Sequence, residues 1–122
     1  MGKKILLVDD EIELLTAVQA RLEANGFQVD TATDGEAGLK KAMENKYDLI
    51  ILDVMMPKMD GYKVCATLKY DARYSHTPIL LFTARASDED ERMGLEDCKA
   101  DGYLTKPFDA QAFLKRIQEL FK

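Results

Sequence analysis

Five polar residues directly follow short runs of apolar residues, and their side chains are of types that can handle a phosphoryl group. They are Asp9, Asp10, Asp53, Thr83 and Lys106. Carboxylates close to one another repel and raise each other's pKa, but they are tolerated around a hard divalent cation such as Mg²⁺. A hydroxyl can donate to a phosphoryl oxygen, and an ammonium group can neutralise its charge. Brought together, these residues would suit phosphoryl transfer to or from a carboxylate.

Each of these residues, taken alone, also has an ordinary structural explanation. An aspartate pair after a strand most often caps the following helix. Asp53 precedes a loop with Pro57, in which an acid commonly supports a turn. A threonine at a strand end and a lysine before a proline are unremarkable. The chemical interpretation therefore depends on whether the fold places all of them at one edge of the same sheet.

The apolar pattern predicts five strands that alternate with five helices. The predicted strands are residues 5–8, 27–32, 49–52, 78–82 and 103–105. The predicted helices are residues 11–25, 37–44, 62–69, 89–96 and 110–121. Continuous apolar strands connected by helices indicate a parallel sheet covered on both faces, whose ligands bind at the carboxyl ends of the strands. We therefore predict an α/β fold with a doubly wound, five-stranded parallel sheet and a site at the strand ends.

Composition narrows the class of protein. The 122 residues are 47% apolar, enough for a buried core, and carry a net charge of −5 from 17 basic and 22 acidic side chains. This acidic balance argues against direct binding to nucleic acid. The sequence shows neither a signal peptide nor a membrane-spanning run, and Cys65 and Cys98 fit free thiols in a reducing compartment. We expect a cytoplasmic protein that does not bind a membrane.

Four segments of the sequence carry a specific family resemblance. They read ILLVDDE, DLIILDVMMPKMDGY, PILLFTA and YLTKPF, in that order along the chain. Together they resemble the receiver domain of bacterial two-component response regulators, over essentially all of residues 1–122. The resemblance implies a single receiver domain with five helices, a flavodoxin-like fold and the strand order 2-1-3-4-5.

The resemblance implies a role for each residue of the predicted site. Asp53 would be the phosphoacceptor, and Asp9, Asp10 and Asp53 would bind Mg²⁺ together with the backbone carbonyl of Met55. Lys106 would pair with the phosphoryl group during catalysis. Such a protein accepts its phosphoryl group from a sensor histidine kinase or a histidine phosphotransfer protein. It catalyses its own phosphorylation and dephosphorylation, but its output is a conformation, so we expect a switch rather than an enzyme.

The same resemblance implies how the modification would be transmitted. Thr83 would be the catalytic and switch hydroxyl that binds a phosphoryl oxygen, and the ring of Tyr103 would move from solvent to an inward position. The peptide bond before Pro107 would be cis. A downstream protein would recognise the face formed by the helix from Glu89 to Glu96, the strand from Tyr103 to Thr105 and the helix from Ala110 to Phe121.

One segment departs from the family pattern. Before Tyr103 the chain reads DCKADG, which is one residue longer than the family commonly has, and Lys99 stands where a helix-ending glycine is expected. We expect the site itself to be retained and the local shape of the output surface to differ.

Three alternative functions remain open from the sequence alone. A haloacid-dehalogenase-type phosphatase also uses an aspartate nucleophile and Mg²⁺, but the Asp-x-Asp signature is absent because Met55 stands two positions after Asp53. A flavin-binding domain shares the topology, but no Ser-, Thr- or Gly-rich phosphate loop follows Val8. An interaction module that works without phosphorylation is the third, and stoichiometric phosphorylation by a small phosphodonor would distinguish it.

Overall fold

The sheet has five parallel strands in the order β2-β1-β3-β4-β5, which confirms the predicted fold and strand order. The structure is a computed structural model that describes residues 2–84 and 87–121. The strands are β1 (Lys4–Val8), β2 (Gln28–Ala32), β3 (Leu49–Asp53), β4 (Ile79–Thr83) and β5 (Gly102–Thr105). The chain order reverses beside β1, because β2 and β3 lie on its two sides. This switch point is where ligands of such sheets bind.

Five helices connect or follow the strands, as predicted. They are α1 (Ile12–Ala24), α2 (Gly35–Glu44), α3 (Gly61–Lys69), α4 (Asp88–Arg92) and α5 (Ala110–Leu120). Side-chain oxygens of Asp34, Asp60, Ser87 and Asp109 cap α2, α3, α4 and α5. Helix α1 differs, because its N-cap residue Glu11 makes no such bond. None of the helices among the described residues is long and apolar enough to cross a bilayer.

Two strands end one residue later than the apolar pattern indicated. Asp53 is the last residue of β3 and pairs with Phe82, and Thr83 is the last residue of β4 and pairs with Thr105. Backbone pairing continues through these polar positions because it depends on the peptide groups and not on the side chains. Both side chains are therefore fixed by the sheet itself, and not by a flexible loop.

The two faces of the sheet bury separate apolar clusters, since successive side chains of a strand point to opposite faces. Leu6 and Ile50 belong to the cluster that includes Leu68 of α3. Leu7 belongs to the cluster that includes Phe113 of α5. A fully buried side chain of this size contributes about 1.5–3 kcal/mol. With both faces covered, the carboxyl ends of the strands are held at fixed separations.

A glycine brings the loop after β3 back against that strand. A Cβ atom at Gly61 would lie 2.2 Å from the carbonyl oxygen of Asp53, so no other residue fits without moving the backbone. The Gly61 N–H donates to the Val54 carbonyl at 2.9 Å, and Asp60 caps α3. The loop that carries Met55 is therefore closed tightly beside Asp53.

Helix α4 continues into a π-helical turn (Met93–Asp97), where the sequence predicted regular helix. The Cys98 N–H bonds the carbonyl of Met93, five residues back, at 2.9 Å. Lys99 then takes a left-handed conformation with φ 65, the position at which glycine ends many helices. A π-helical turn holds one residue more than an α-helical turn. After this turn Gly102 enters β5 opposite Leu80.

Candidate functional site

Three aspartates form an acidic cluster at the carboxyl end of the sheet. Ligand oxygens of Asp9, Asp10 and Asp53 all lie within 4.8 Å of one another. The cluster forms because β1 and β3 are neighbours, with Val8 opposite Leu52, so the residues that end these strands meet. Asp9 and Asp53 are buried and Asp10 is exposed. Such a group of hard oxygen ligands, open to solvent on one side, suits a divalent cation.

The ammonium group of Lys106 lies among carboxylates. Its Nζ is 2.9 Å from Asp9 Oδ2, 3.1 Å from Glu11 Oε1 and 3.5 Å from Asp53 Oδ2. Burial opposes the charged form, but the hydrogen bond to Asp9 and the charge of Asp53 outweigh it and raise the pKa of Lys106. Lys106 therefore stays cationic at neutral pH, where it can neutralise an incoming anion.

Asp53 is the most perturbed carboxylate of the cluster. Burial raises its pKa to about 6, Lys106 works against that increase, and the negative charge of Asp9 adds to it. The N–H of Met55 also donates to Asp53 Oδ1 at 3.4 Å. At neutral pH the group is still mainly a carboxylate, but one of unusual basicity, which favours nucleophilic attack.

Charge is unbalanced at this end of the sheet. Three carboxylates, those of Asp9, Glu11 and Asp53, lie within 3.5 Å of the Lys106 ammonium group, and Asp10 adds a fourth acid to the cluster. Like charges this close raise the free energy of the folded protein unless a cation compensates them. The oxygen-only donor set and the surplus of negative charge fit Mg²⁺, which prefers carboxylates and water as ligands.

Thr83 and Tyr103 lie on the next two strands, β4 and β5. Thr83 is fully buried at the end of β4. Tyr103, in β5, is 8% exposed, so its ring lies inward in this structure. The inward position is the one that the sequence analysis expected only after modification. Its hydroxyl lies 3.3 Å from the hydroxyl of Tyr62 in α3.

Comparison with known proteins decides the family. The model of the response regulator receiver domain matches residues 5–118. The chain belongs to the receiver domain family. The alkaline phosphatase synthesis transcriptional regulatory protein PhoP of Bacillus subtilis is 46% identical over 122 residues, which is all of this chain and 50% of that protein. The response regulator ArlR of Staphylococcus saprophyticus is 40% identical over 119 residues, 98% of this chain and 52% of that protein.

The receiver domain is also similar to solved structures along nearly its whole length. The chemotaxis response regulator CheY4 of Vibrio cholerae has a TM-score of 0.91 and 37% identity, covering 98% of this chain and 99% of that one. The receiver domain of the Pseudomonas aeruginosa sensor histidine kinase PA1611, described with a magnesium ion in its active site cleft, has a TM-score of 0.90 and 29% identity, covering 99% and 98%. By contrast, the chain spans about half the length of the curated relatives it matches.

Two further residues of the receiver domain lie at the rim of the site. Met55 lies two residues after Asp53, the last residue of β3, and it is 59% exposed. The Lys106–Pro107 peptide bond is cis. An apolar groove of about 460 Å³ begins beside Lys106. It is lined by Glu11, Leu14, Ala84, Lys106, Pro107 and Phe108.

The sequence analysis missed the contact between Glu11 and Lys106. The sequence placed Glu11 only at the start of a predicted helix, whereas its carboxylate is bound to Lys106 and its N–H donates to Asp9 Oδ1 at 2.9 Å. A weak signal was present. Glutamate is a poor N-cap compared with Asp, Ser, Thr or Asn, so its place at the start of α1 indicated that the side chain served another group.

Tyr62 was also missed as a functional candidate. Its hydroxyl donates to the carbonyl of Asp90 in α4 at 3.0 Å and lies 3.3 Å from that of Tyr103. The sequence placed it only at the start of a helix. A buried tyrosine needs a partner for its hydroxyl, but nothing in the local pattern tells which distant residue provides it.

Proposed function

We propose that this receiver domain accepts a phosphoryl group on Asp53 and that the modification switches its conformation. The donor is a phosphohistidine of a sensor histidine kinase or a histidine phosphotransfer protein. The observation that carries the proposal is the Asp53 carboxylate itself. It is buried at a strand end, has a pKa of about 6, and lies 3.5 Å from a lysine ammonium group.

The transfer uses a carboxylate oxygen of Asp53 as the nucleophile. This oxygen attacks phosphorus, the P–N bond of the phosphohistidine breaks, and the imidazole leaves with the bonding electron pair. The product is an aspartyl phosphate. Lys106 neutralises charge on the phosphoryl oxygens, and the hydroxyl of Thr83 donates to one of them. Positioning and charge stabilisation of this kind supply most of the catalysis in phosphoryl transfer.

Mg²⁺ would be held by Asp9, Asp10, Asp53 and the backbone carbonyl of Met55. When bound, it supplies positive charge that stabilises the transferring group. The acidic cluster supports this ligand set, because the ligand oxygens of Asp9, Asp10 and Asp53 lie within 4.8 Å of one another. Without further protein groups the switch resets: water attacks phosphorus, the P–O bond to Asp53 breaks, and inorganic phosphate leaves. Asp53 is then a carboxylate again.

The remaining features of the proposal concern context. We infer that residues 1–122 form one cytoplasmic receiver domain that contacts neither nucleic acid nor membrane directly, consistent with its net charge of −5. A downstream protein recognises the face formed by α4 with its π-helical turn, β5 and α5. The named relatives are transcriptional and response regulators. A regulatory output through a partner protein or an attached domain therefore suits this chain.

The test is phosphorylation by acetyl phosphate with Mg²⁺, followed by intact-protein and peptide mass spectrometry. We expect one phosphoryl group on Asp53 and none in Asp53→Ala. Asp101→Ala is a matched control, because Asp101 also pairs with a buried lysine but lies at the other end of the sheet. It should still be modified. An adduct on Ser, Thr or another Asp, or turnover of a free phosphate ester as by a phosphatase, would overturn the proposal.

A further inference from the structure

Tyr62 connects Tyr103 to helix α4 through two hydrogen bonds. Its hydroxyl donates to the Asp90 carbonyl at 3.0 Å and lies 3.3 Å from the Tyr103 hydroxyl. A phenol has a single proton to donate. The Tyr62 proton is directed to the Asp90 carbonyl, and the same hydroxyl oxygen lies within hydrogen-bond distance of the Tyr103 hydroxyl. One hydroxyl of α3 therefore contacts both β5 and α4.

The π-helical turn provides the space for the Tyr103 ring. Gly94 lies in this turn and is buried. A Cβ atom at Gly94 would lie 2.9 Å from Leu81 Cδ1, and 3.0 and 3.1 Å from two ring carbons of Tyr103. The ring thus packs directly against the Gly94 backbone. The inward seat of Tyr103 has an apolar wall at Gly94 and a polar end at Tyr62.

We propose that Tyr62 is a positioning residue of the switch, which together with Gly94 holds the Tyr103 ring inward in the unmodified domain and couples that position to α4. The proposal rests on the proposed function only for its consequence, since the contacts exist whether or not Asp53 is modified. Its consequence is quantitative. Phosphorylation biases two states only by its differential interaction with them. An inward state that the chain's own contacts already favour needs less of that bias.

Tyr70 offers a matched control for Tyr62. Its hydroxyl donates to the Asp97 carbonyl at 3.0 Å, at the other end of the same helical segment. Tyr70→Phe and Tyr62→Phe therefore each delete one hydroxyl that bonds a carbonyl of that segment. Only Tyr62 has the additional bond to Tyr103. A general effect on helix stability would appear in both variants, and an effect on the seat only in Tyr62→Phe.

The experiment is ¹⁹F NMR of the 3-fluorotyrosine-labelled chain, which has five tyrosines, each assigned by its Tyr→Phe variant. A soluble gadolinium chelate reports which rings are exposed. In the unmodified wild type we expect a protected Tyr103 signal beside a strongly relaxed Tyr70 signal, whose residue is 65% exposed. In Tyr62→Phe the ratio of outward to inward Tyr103 should rise about two- to tenfold, the range for one hydrogen bond. Tyr70→Phe should leave it unchanged.

A second variant tests the other wall of the seat. Gly94→Ala adds a methyl group where the ring lies, so it should expose Tyr103 while both tyrosine hydroxyls remain. A Tyr103 signal as relaxed as that of Tyr70 in the wild type, or one equally protected in Tyr62→Phe, overturns the proposal. Phosphorylation of Asp53 is measured in parallel by mass. If Asp53 is not phosphorylated, the proposed function is overturned and the NMR comparison still stands. If Tyr62→Phe is phosphorylated but its Tyr103 signal is unchanged, only the role of Tyr62 is overturned.

Discussion

Two nearly buried lysines stand at opposite ends of β5 and have very different surroundings. Lys69, whose side chain is 9% exposed, pairs with the single carboxylate of Asp101 at 2.9 Å and donates to the Thr77 carbonyl at 3.1 Å. The same carboxylate accepts the Ile79 N–H at 2.8 Å. Lys106, whose side chain is 13% exposed, faces three carboxylates within 3.5 Å.

The two lysines differ in the balance of charge around them. At Lys69 one positive charge meets one negative charge, and a second hydrogen bond goes to the Thr77 carbonyl, so the group ties α3 to the starts of β4 and β5. At Lys106 three carboxylates face one ammonium group, and repulsion among the carboxylates raises the free energy of the folded state. A surplus of charge of one sign is useful only if a charged species is to be bound there. The shortest ion-pair distance is 2.9 Å at both lysines, so the balance of charge distinguishes the two sites and the distance does not.

The largest effect should come from removing each lysine. Lys69→Met and Lys106→Met should each lower the free energy of unfolding by about 2 kcal/mol in metal-free buffer, because a carboxylate loses its counter-charge. Millimolar Mg²⁺ should restore stability in Lys106→Met, where a cation can replace the ammonium group, and not in Lys69→Met. Urea unfolding with and without Mg²⁺ measures both. Equal rescue of the two variants would break the comparison.

Replacing Asp53 or Asp101 by asparagine should change the free energy of unfolding in opposite directions. Because the folded state raises the pKa of Asp53 from 3.8 to about 6, its contribution to stability is present below about pH 4 and is lost as the pH rises through about 6. Asp53→Asn should therefore be more stable than the wild type by roughly 1–2 kcal/mol at pH 7 without metal, with no difference near pH 4.

Asp101→Asn is the counterpart of that variant. It leaves Lys69 without its charge partner and should be less stable than the wild type by about 1 kcal/mol at pH 7. Thermal unfolding between pH 4 and pH 7 in EDTA follows both proteins. If Asp53→Asn were destabilised to the same extent as Asp101→Asn, the surplus of negative charge at Lys106 would have no energetic cost, contrary to our interpretation.

The smallest effect concerns the metal in the wild type. Mg²⁺ at a few times its Kd should stabilise the fold by about 1 kcal/mol, since it binds only the native state. Asp10→Ala should raise the stability of the metal-free protein and remove the response to Mg²⁺. Glu13→Ala, which removes an exposed acid from the first turn of α1, should keep that response. Thermal melts decide the matter, and an Asp10→Ala protein still stabilised by Mg²⁺ would contradict the ligand role.

Much of the fold follows from local pattern. The apolar runs that become β1, β3 and β4 are buried along their length, so continuous hydrophobicity identified them as strands of a covered parallel sheet. The strand ends then identified the acidic cluster, because parallel strands meet at one edge. Two predicted strands ended one residue too early, before Asp53 and before Thr83. The side chains there are polar although the backbone is still paired with the neighbouring strand.

What the sequence could not give depends on residues far apart in the chain. Glu11 and Lys106 are 95 residues apart, Tyr62 and Tyr103 are 41 apart, and Lys69 and Asp101 are 32 apart. The periodicity of apolar residues along the chain does not indicate which distant residues form such pairs. The packing of Gly94 against Leu81 and Tyr103 is a long-range contact of the same kind. Local pattern thus located the elements and the site, but not the contacts that connect them.

The order of the strands along the chain also fixes the order in which the residues of the site are synthesised. The nascent chain emerges from its N-terminus, so β1, β2 and β3 are available to pair before β5 has been made. Pairing of these three strands alone would bring Asp9, Asp10 and Asp53 together without Lys106, which follows Asp9 by 97 residues. Docking of β5 would then add the Lys106 ammonium group, so relief of carboxylate repulsion favours that docking. A truncated chain that lacks β5 keeps the acids without their lysine, and this electrostatic penalty distinguishes it from a completed domain.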